Sequence, residues 1–297
     1  MLSDSLLKAL ICPVCRGTPL SLVVEEADGD LIVQGDLTCP DCKRRYRVRD
    51  DIPVMMPSEL GSNLSASNEQ WRAWSSAMGR FLQWREAAWS DAEEALRRRE
   101  DACEMHRRFI EFCDLQDVPI ALLDVGCGTG HLADILRGGV DYVGLDPLPG
   151  GRSPTGEIPS EMPRPQRPVS LVQGVGELLP LADDSFDVIL IAGALDHARS
   201  PEEMLDEAAR VIRSGGALCV LLGLVRDSDD GGIGGALRSL ARSLTGRQSP
   251  EARDTHMRTF ASPDEVCELL AEHFVVRDTM EHANRLFVRA TAPEDDG

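Results

Sequence analysis

From about residue 118 onward, apolar runs of strand length alternate with turn residues and helical stretches. The runs fall at residues 120–125, 142–145, 170–173, 188–192 and 217–222. Continuous apolar runs of this length suit strands buried on both faces. Their alternation with helical stretches predicts an α/β domain, a mostly parallel sheet with helices on both faces. Two further strands are expected at 274–278 and 286–290, after a helix starting near Pro263, which makes seven strands. A helix is also expected to begin near His131. Residues 202–212 form a clear amphipathic helix, expected to stop at Ser214-Gly215-Gly216. The connection between Leu145 and Ser170 carries Pro147, Pro149, Pro154, Pro159, Pro163, Pro165 and Pro168, a density that forbids a normal helix and predicts an extended loop.

The first part of the chain has a different rhythm. Residues 3–10 suggest one or two helical turns leading into Cys12. Residues 20–24 and 31–33 read as strands around the turn Asp28-Gly29-Asp30, and residues 46–48 as another. Polar residues 58–67 read as a linker. Beyond it, Trp71, Trp74, Met78 and Phe81 recur at helical spacing; this apolar stripe is either packing against the next domain or a lid over a substrate pocket. A second helix, rich in Glu and Arg, is expected at 91–113, and residues 227–250, bearing Gly, Ser and Arg, read as a loop. The division is therefore a small cysteine-bearing unit at 1–57, a linker and helical cap at 58–117, and the sheet domain at 118–297.

Composition narrows the class. Of 297 residues, 42% are hydrophobic and 27% charged, ordinary values for a water-soluble fold, while only 4% are aromatic, so aliphatic side chains must fill the core. No apolar run approaches membrane-spanning length. The N-terminal residues lack the features of a secretory signal, which predicts a cytoplasmic protein whose nine cysteines do not form a disulfide framework. A net charge of -19 weighs against a phosphate backbone as the main ligand. The local exception is Lys43, Arg44, Arg45, Arg47 and Arg49, bracketed by Asp41, Asp50 and Asp51; it is either a solvated strand face or a patch for RNA or an anionic substrate.

Two motifs carry chemistry. Cys12-Pro-Val-Cys15 and Cys39-Pro-Asp-Cys42 supply two thiolate pairs, and four thiolates close a tetrahedral shell suited to a structural zinc ion. A unit of this size buries too little apolar surface to stand alone, so a metal staple is expected. In Leu122-Leu-Asp-Val-Gly-Cys-Gly-Thr-Gly130, a buried strand ends in a glycine turn. Gly126, Gly128 and Gly130, around Cys127, let the backbone pass close to a ligand. A dinucleotide fingerprint would need its third glycine at position 131, which is His131. Asp124 suits a cationic amino acid moiety better than a pyrophosphate. Asp146, at the end of the next strand, is placed to accept hydrogen bonds from ribose hydroxyls.

Residues 122–130, Leu178-Leu-Pro-Leu-Ala-Asp-Asp-Ser-Phe-Asp187 and Arg210-Val-Ile-Arg-Ser-Gly-Gly216 together resemble the class I S-adenosylmethionine methyltransferases, closest to their small-molecule group. That resemblance implies a Rossmann-like fold. It also implies S-adenosylmethionine held by Asp124, Gly126, Cys127, Gly128 and Gly130 on its methionine part, by Asp146 on the ribose, and by Gly176 and Glu177 beside the adenine. Val175 departs from the family pattern, which usually places an aspartate there for the adenine amino group. Residues 6–15 and 45–54 resemble the small zinc-binding proteins that activate methyltransferases as partner subunits, which implies a zinc-ribbon-like activator or stabiliser fused in cis.

Ala194-Leu-Asp-His197 follows a predicted strand at its carboxyl end, where ligands of parallel sheets gather. Asp196 and His197 are therefore catalytic candidates; His197 either takes a proton from the acceptor or only shapes the pocket. His256 is the other candidate. The combined expectation is methyl transfer to an O, N or C nucleophile of a small metabolite or sugar-like substrate. The alternatives are an RNA methyltransferase gripping nucleic acid through its zinc unit, and a cofactor-binding scaffold without activity. No membrane partner is expected, and the oligomeric state is left open.

Overall fold

The structure, a computed structural model, describes residues 2–56, 73–74, 76–80, 83, 92–115, 120–148, 165–225 and 256–294. The expected linker at 58–67, Trp71 and Phe81 of the apolar stripe, most of the proline-rich connection and the loop at 227–250 lie outside these residues.

Helix α1 (Asp4–Ala9) is capped by Ser3, whose hydroxyl accepts the amide of Leu6. Four antiparallel strands follow in the order β1-β2-β3-β4: β1 (Ser21–Asp28), β2 (Leu31–Thr38), β3 (Arg45–Arg49) and β4 (Ile52–Pro53). The first two extend beyond the apolar runs that announced them, because the Asp28-Gly29-Asp30 turn lets them pair from Ser21↔Thr38 down to Asp28↔Leu31.

After α2 (Ala92–Cys113), the large sheet is built from β5 (Ile120–Val125), β6 (Val140–Asp146), β7 (Ser170–Gln173), β8 (Phe186–Ala192), β9 (Ile212–Gly223), β10 (Val275–His282) and β11 (Arg285–Thr291). Its order is β10-β11-β9-β8-β5-β6-β7. The strands from β9 to β7 are parallel, and β11 joins β9, and β10 joins β11, antiparallel. Helices α3 (Pro201–Val211) and α4 (Pro263–Leu270) have capping serines, Ser200 and Ser262.

Alternation along the strands sorts side chains into two cores. Leu123, Val125, Leu145, Ile191 and Val220 face Leu205 of α3 and Leu270 of α4. Leu122, Tyr142, Leu190, Cys219 and Phe287 face Phe109 of α2. The sheet is thus covered on both faces, as its apolar runs require.

Two expectations need correction. The helix expected at His131 is only a 3-10 segment, His131–Asp134. The chain must reach β6 by Val140, and Gly138-Gly139, with Gly139 at φ 88°, closes the connection before a full helix forms. The amphipathic helix runs Pro201–Val211, within one residue of its expected span, but the glycines beyond it belong to the next strand. Ile212 is already paired with Phe186, so Ser214-Gly215-Gly216 lies inside β9. Tertiary pairing overrides the local stop signal there.

The small sheet docks on the large one through backbone. Met55 N–H donates to Gln173 O at 2.8 Å, and Val54 bridges Gln173 in parallel, so β4 continues the sheet beyond its edge strand β7. Ile11 N–H donates to Pro180 O at 3.0 Å, and Ala182 N–H to Ala9 O at 2.8 Å. Leu6, Leu10, Leu37 and Tyr46 join the same apolar cluster as Leu145 and Leu181. Glu207 of α3 ties the join: its carboxylate accepts from Arg16 at 2.8 Å, from Arg210 at 2.7 Å and from the Leu179 amide at 2.9 Å.

Candidate active site and metal centre

The four paired cysteines come together. Their sulfurs lie within 4.8 Å of one another, with Cys12–Cys42 at 3.7 Å and Cys15–Cys39 at 3.5 Å. A tetrahedral zinc with ordinary Zn–S bonds sets sulfurs about 3.8 Å apart, so the spacing fits. Each knuckle turns through a residue at positive φ, Arg16 (60°) and Lys43 (61°). Gly17 is sterically required, since a Cβ there would meet Cys39 Sγ at 2.8 Å. The Tyr46 hydroxyl lies 3.0 Å from Cys12 Sγ, where it can donate to a thiolate. Against the cost of desolvation, hydrogen bonds from Arg44 hold the Cys42 thiol down to about 6, which favours its ligating form. Four thiolates leave no open position, so zinc here is structural.

The glycine turn opens onto a cavity of about 190 Å³ at the carboxyl ends of β5, β6 and β8. Its lining includes Gly126, Gly128, Asp146, Gly176, Glu177 and His197. Gly126 stands at φ 78° with Ala194 only 2.2 Å from where a Cβ would sit, whereas Gly128, at φ 56°, has nothing within 4 Å of that position. The first glycine lets the turn close against β8, and the second leaves its backbone bare to the cavity. Asp146 Oδ2 accepts from the Gly128 amide at 2.9 Å and Oδ1 from the Leu148 amide at 2.7 Å. The two amides orient the carboxylate, and Asp146 is part of the cavity lining.

Other predicted residues sit behind this wall. Asp124 is fully buried and does not line the cavity; its Oδ2 accepts from the Tyr142 hydroxyl at 2.6 Å, and Oδ1 has no partner. Burial pushes its carboxyl up to about 7, the Tyr142 hydrogen bond working against the shift and the Asp146 charge adding to it. Cys127 and Gly130 also pack away from the lining, Cys127 against Gly144 and Gly130 against Leu171. Glu177 touches the cavity, but its Oε1 accepts the Arg199 amide at 2.7 Å, which ties it to the entry of α3; desolvation holds its carboxyl above the usual range.

Sequence reasoning did not name Met204 or Gly193, although both line the cavity, as does Val175, which the resemblance had set beside the adenine. Trp74 and Met78 line it too, and Trp74 packs on Val175. The only advance signal for these two was the helical stripe. On the far side, Asp196, His197 and His256 converge, their donor atoms within 4.8 Å of one another. His256 Nε2 lies 3.4 Å from Asp196 Oδ2, and the two imidazoles stack at 4.6 Å between centroids.

A larger cavity of about 690 Å³ lies between α2 and residues 131–140, lined by Arg99, Arg107 and Arg137 among others. It lies at the amino ends of β5 and β6, where Ile120 and Val140 line it, and not at strand carboxyl ends, so the smaller cavity is the candidate site. The basic stretch of β3 is also accounted for. Arg45 pairs with Asp36, and Arg47 bonds Asp36 and Glu25 at 3.0 Å each.

Residues 123–220 match the family model described as a methyltransferase domain, and residues 3–51 match the one described as a Trm112p-like protein. The chain thus carries one segment that matches each of these two family descriptions. The chain is similar to an uncharacterized methyltransferase of Mycolicibacterium vanbaalenii, 36% identical over 133 residues, which are 44% of this chain and 49% of that one. It is also similar to a tRNA U34 carboxymethyltransferase of Shewanella putrefaciens, 39% identical over 115 residues, 38% of this chain and 33% of that one. The chain thus spans no more than about half the length of these curated relatives. Among solved structures, a Burkholderia thailandensis 1,6-didemethyltoxoflavin-N1-methyltransferase is 20% identical with a TM-score of 0.48, covering 86% of this chain and 98% of that one. No described helix is long and apolar enough to cross a membrane.

Proposed function

We propose that this chain transfers a methyl group from S-adenosylmethionine to a nucleophile of a small metabolite, with a structural zinc ion in its Trm112p-like domain. The observation that carries this reading is the bare Gly128 backbone beside an Asp146 carboxylate held by two amides, in a cavity whose lining also includes His197 of the Asp196–His197–His256 cluster. Bound S-adenosylmethionine supplies a methyl group activated by its sulfonium. Asp146 holds the ribose hydroxyls, the Gly126–Gly128 turn lies along the methionine part, and Gly176 and Glu177 flank the adenine. Val175 and Trp74 give the adenine side an apolar wall. Asp124 supports the turn from behind, through Tyr142. Asp196, His197 and His256 handle the acceptor, aligning its nucleophile with the methyl carbon.

Calorimetric titration with S-adenosylmethionine and S-adenosylhomocysteine tests the reading. Saturable binding of both is expected, and no heat at millimolar ligand would remove it. A second reading, methylation of RNA, draws on the similarity to the tRNA enzyme of Shewanella putrefaciens. The ion pairs that occupy Arg45 and Arg47 and the net charge of -19 favour the small-molecule acceptor. Salt-sensitive binding of total RNA near physiological ionic strength would reverse that preference.

A further inference from the structure

We infer that Asp196, His197 and His256 form a second metal site, a divalent transition-metal centre on the acceptor wall of the cavity. The three donors come from two segments far apart in the chain and are brought together by backbone. The Met257 and Arg258 amides both donate to Asp196 O, at 2.9 and 3.2 Å, so the segment bearing His256 hangs on the residue that supplies the carboxylate. The donor atoms already lie within 4.8 Å of one another, with His256 Nε2 and Asp196 Oδ2 at 3.4 Å. Donors around one ion at ordinary bond lengths of about 2.1 Å sit about 3–4 Å apart, so only a small closure is needed.

The second observation concerns Asp196 alone. Its side chain is 8% exposed, and Oδ1 is buried without a hydrogen-bond partner. An unsatisfied buried carboxylate oxygen costs stability, and a cation held by both oxygens of this carboxylate removes that cost. Two imidazole nitrogens and one carboxylate oxygen suit Zn²⁺, Co²⁺, Fe²⁺ or Mn²⁺ better than Mg²⁺ or Ca²⁺, which prefer all-oxygen shells. Three protein ligands leave coordination positions open, and His197 lines the cavity, so those positions face the acceptor.

This deepens the proposed function and rests on it for its chemistry. The site selects an acceptor with two neighbouring oxygens, such as a vicinal diol or an α-hydroxy carbonyl, that can chelate the ion. Coordination lowers the pKa of the acceptor hydroxyl. As the O–CH₃ bond forms, the sulfonium C–S bond breaks with its electron pair going to sulfur, and the hydroxyl proton passes to solvent.

The test uses the full chain loaded with zinc at its four cysteines and titrated with Co²⁺. One further equivalent should bind with visible ligand-field absorption and no thiolate-to-cobalt charge-transfer band, which separates this site from the cysteines. Asp196→Asn and His256→Gln should each weaken that binding about ten-fold or more while zinc content and circular dichroism stay as in the wild type. Absence of the extra equivalent, or binding by both variants as tight as by the wild type, would overturn the inference. Calorimetry with S-adenosylhomocysteine on the same samples separates the two claims. Retained cofactor binding without cobalt binding defeats the metal site alone, whereas lost cofactor binding with cobalt binding intact defeats the methyltransferase reading.

Discussion

Asp146 and Asp124 are both carboxylates at strand ends, and their surroundings give them different work. Asp146 is oriented by two backbone amides and faces the cavity, so Asp146→Ala should weaken S-adenosylhomocysteine binding by about 1–3 kcal/mol in calorimetry. Unchanged affinity would assign the ribose to another group. Asp124 has no exposure and a single hydrogen bond, from Tyr142. Its folded pKa of about 7 lies above the ordinary value of 3.8. Between those values the native state keeps a proton that the unfolded chain has lost. Rising pH therefore erodes stability across that window, by up to about 1.4 kcal/mol per pH unit. Asp124→Asn abolishes the titration. Denaturant unfolding should show the variant gaining on the wild type from about pH 4 to pH 7 and running parallel above it. A difference that ignores pH would mean the buried carboxyl ionises normally. Both aspartates were legible from their places beside the glycines. Their division of labour was not, because which strand-end side chain reaches a cavity depends on Tyr142, a neighbour that no motif marks.

At the scale of elements, the strands were legible because a doubly covered sheet needs apolar residues at every position, and such runs stand out. The helices were less so. The His131 segment has suitable residues but too little chain before Val140, and the end of α3 is set by the Phe186↔Ile212 pairing. The convergence of His256 on Asp196 was invisible for a similar reason, since it depends on two amides donating to one carbonyl across the fold. Helix α3 also carries the residue that joins three elements. Glu207 is 8% exposed and accepts from Arg16, Arg210 and the Leu179 amide. Glu207→Ala strands a partly buried Arg210 and an amide. It should cost about 3 kcal/mol in urea or guanidinium unfolding. A loss within experimental error would show that Arg210 is satisfied by Asp183 and the Leu179 and Leu181 carbonyls alone.

At the scale of the whole molecule, the Trm112p-like domain lies against residues 173–182, the stretch that also presents Val175, Gly176 and Glu177 to the cavity. The small cysteine-bearing domain and the Val175–Glu177 side of the cavity are thus connected through backbone hydrogen bonds. Cys39→Ser should release zinc in a chromogenic chelator assay and loosen the small sheet. The same variant should also bind S-adenosylhomocysteine more weakly, although Cys39 is no part of the cavity lining. Unaltered cofactor affinity in a zinc-free protein would mean that the two regions are energetically independent. The cysteine pairs announced the metal from spacing alone, but not what the domain leans on.

The pairing of β4 with β7 has a further result. A separate subunit held to an edge strand dissociates on dilution, and its effect fades with it. Here both surfaces belong to one polypeptide, so their encounter is intramolecular and independent of protein concentration. Support from the small sheet should therefore persist at nanomolar enzyme, where a two-chain assembly of the same surfaces would have come apart.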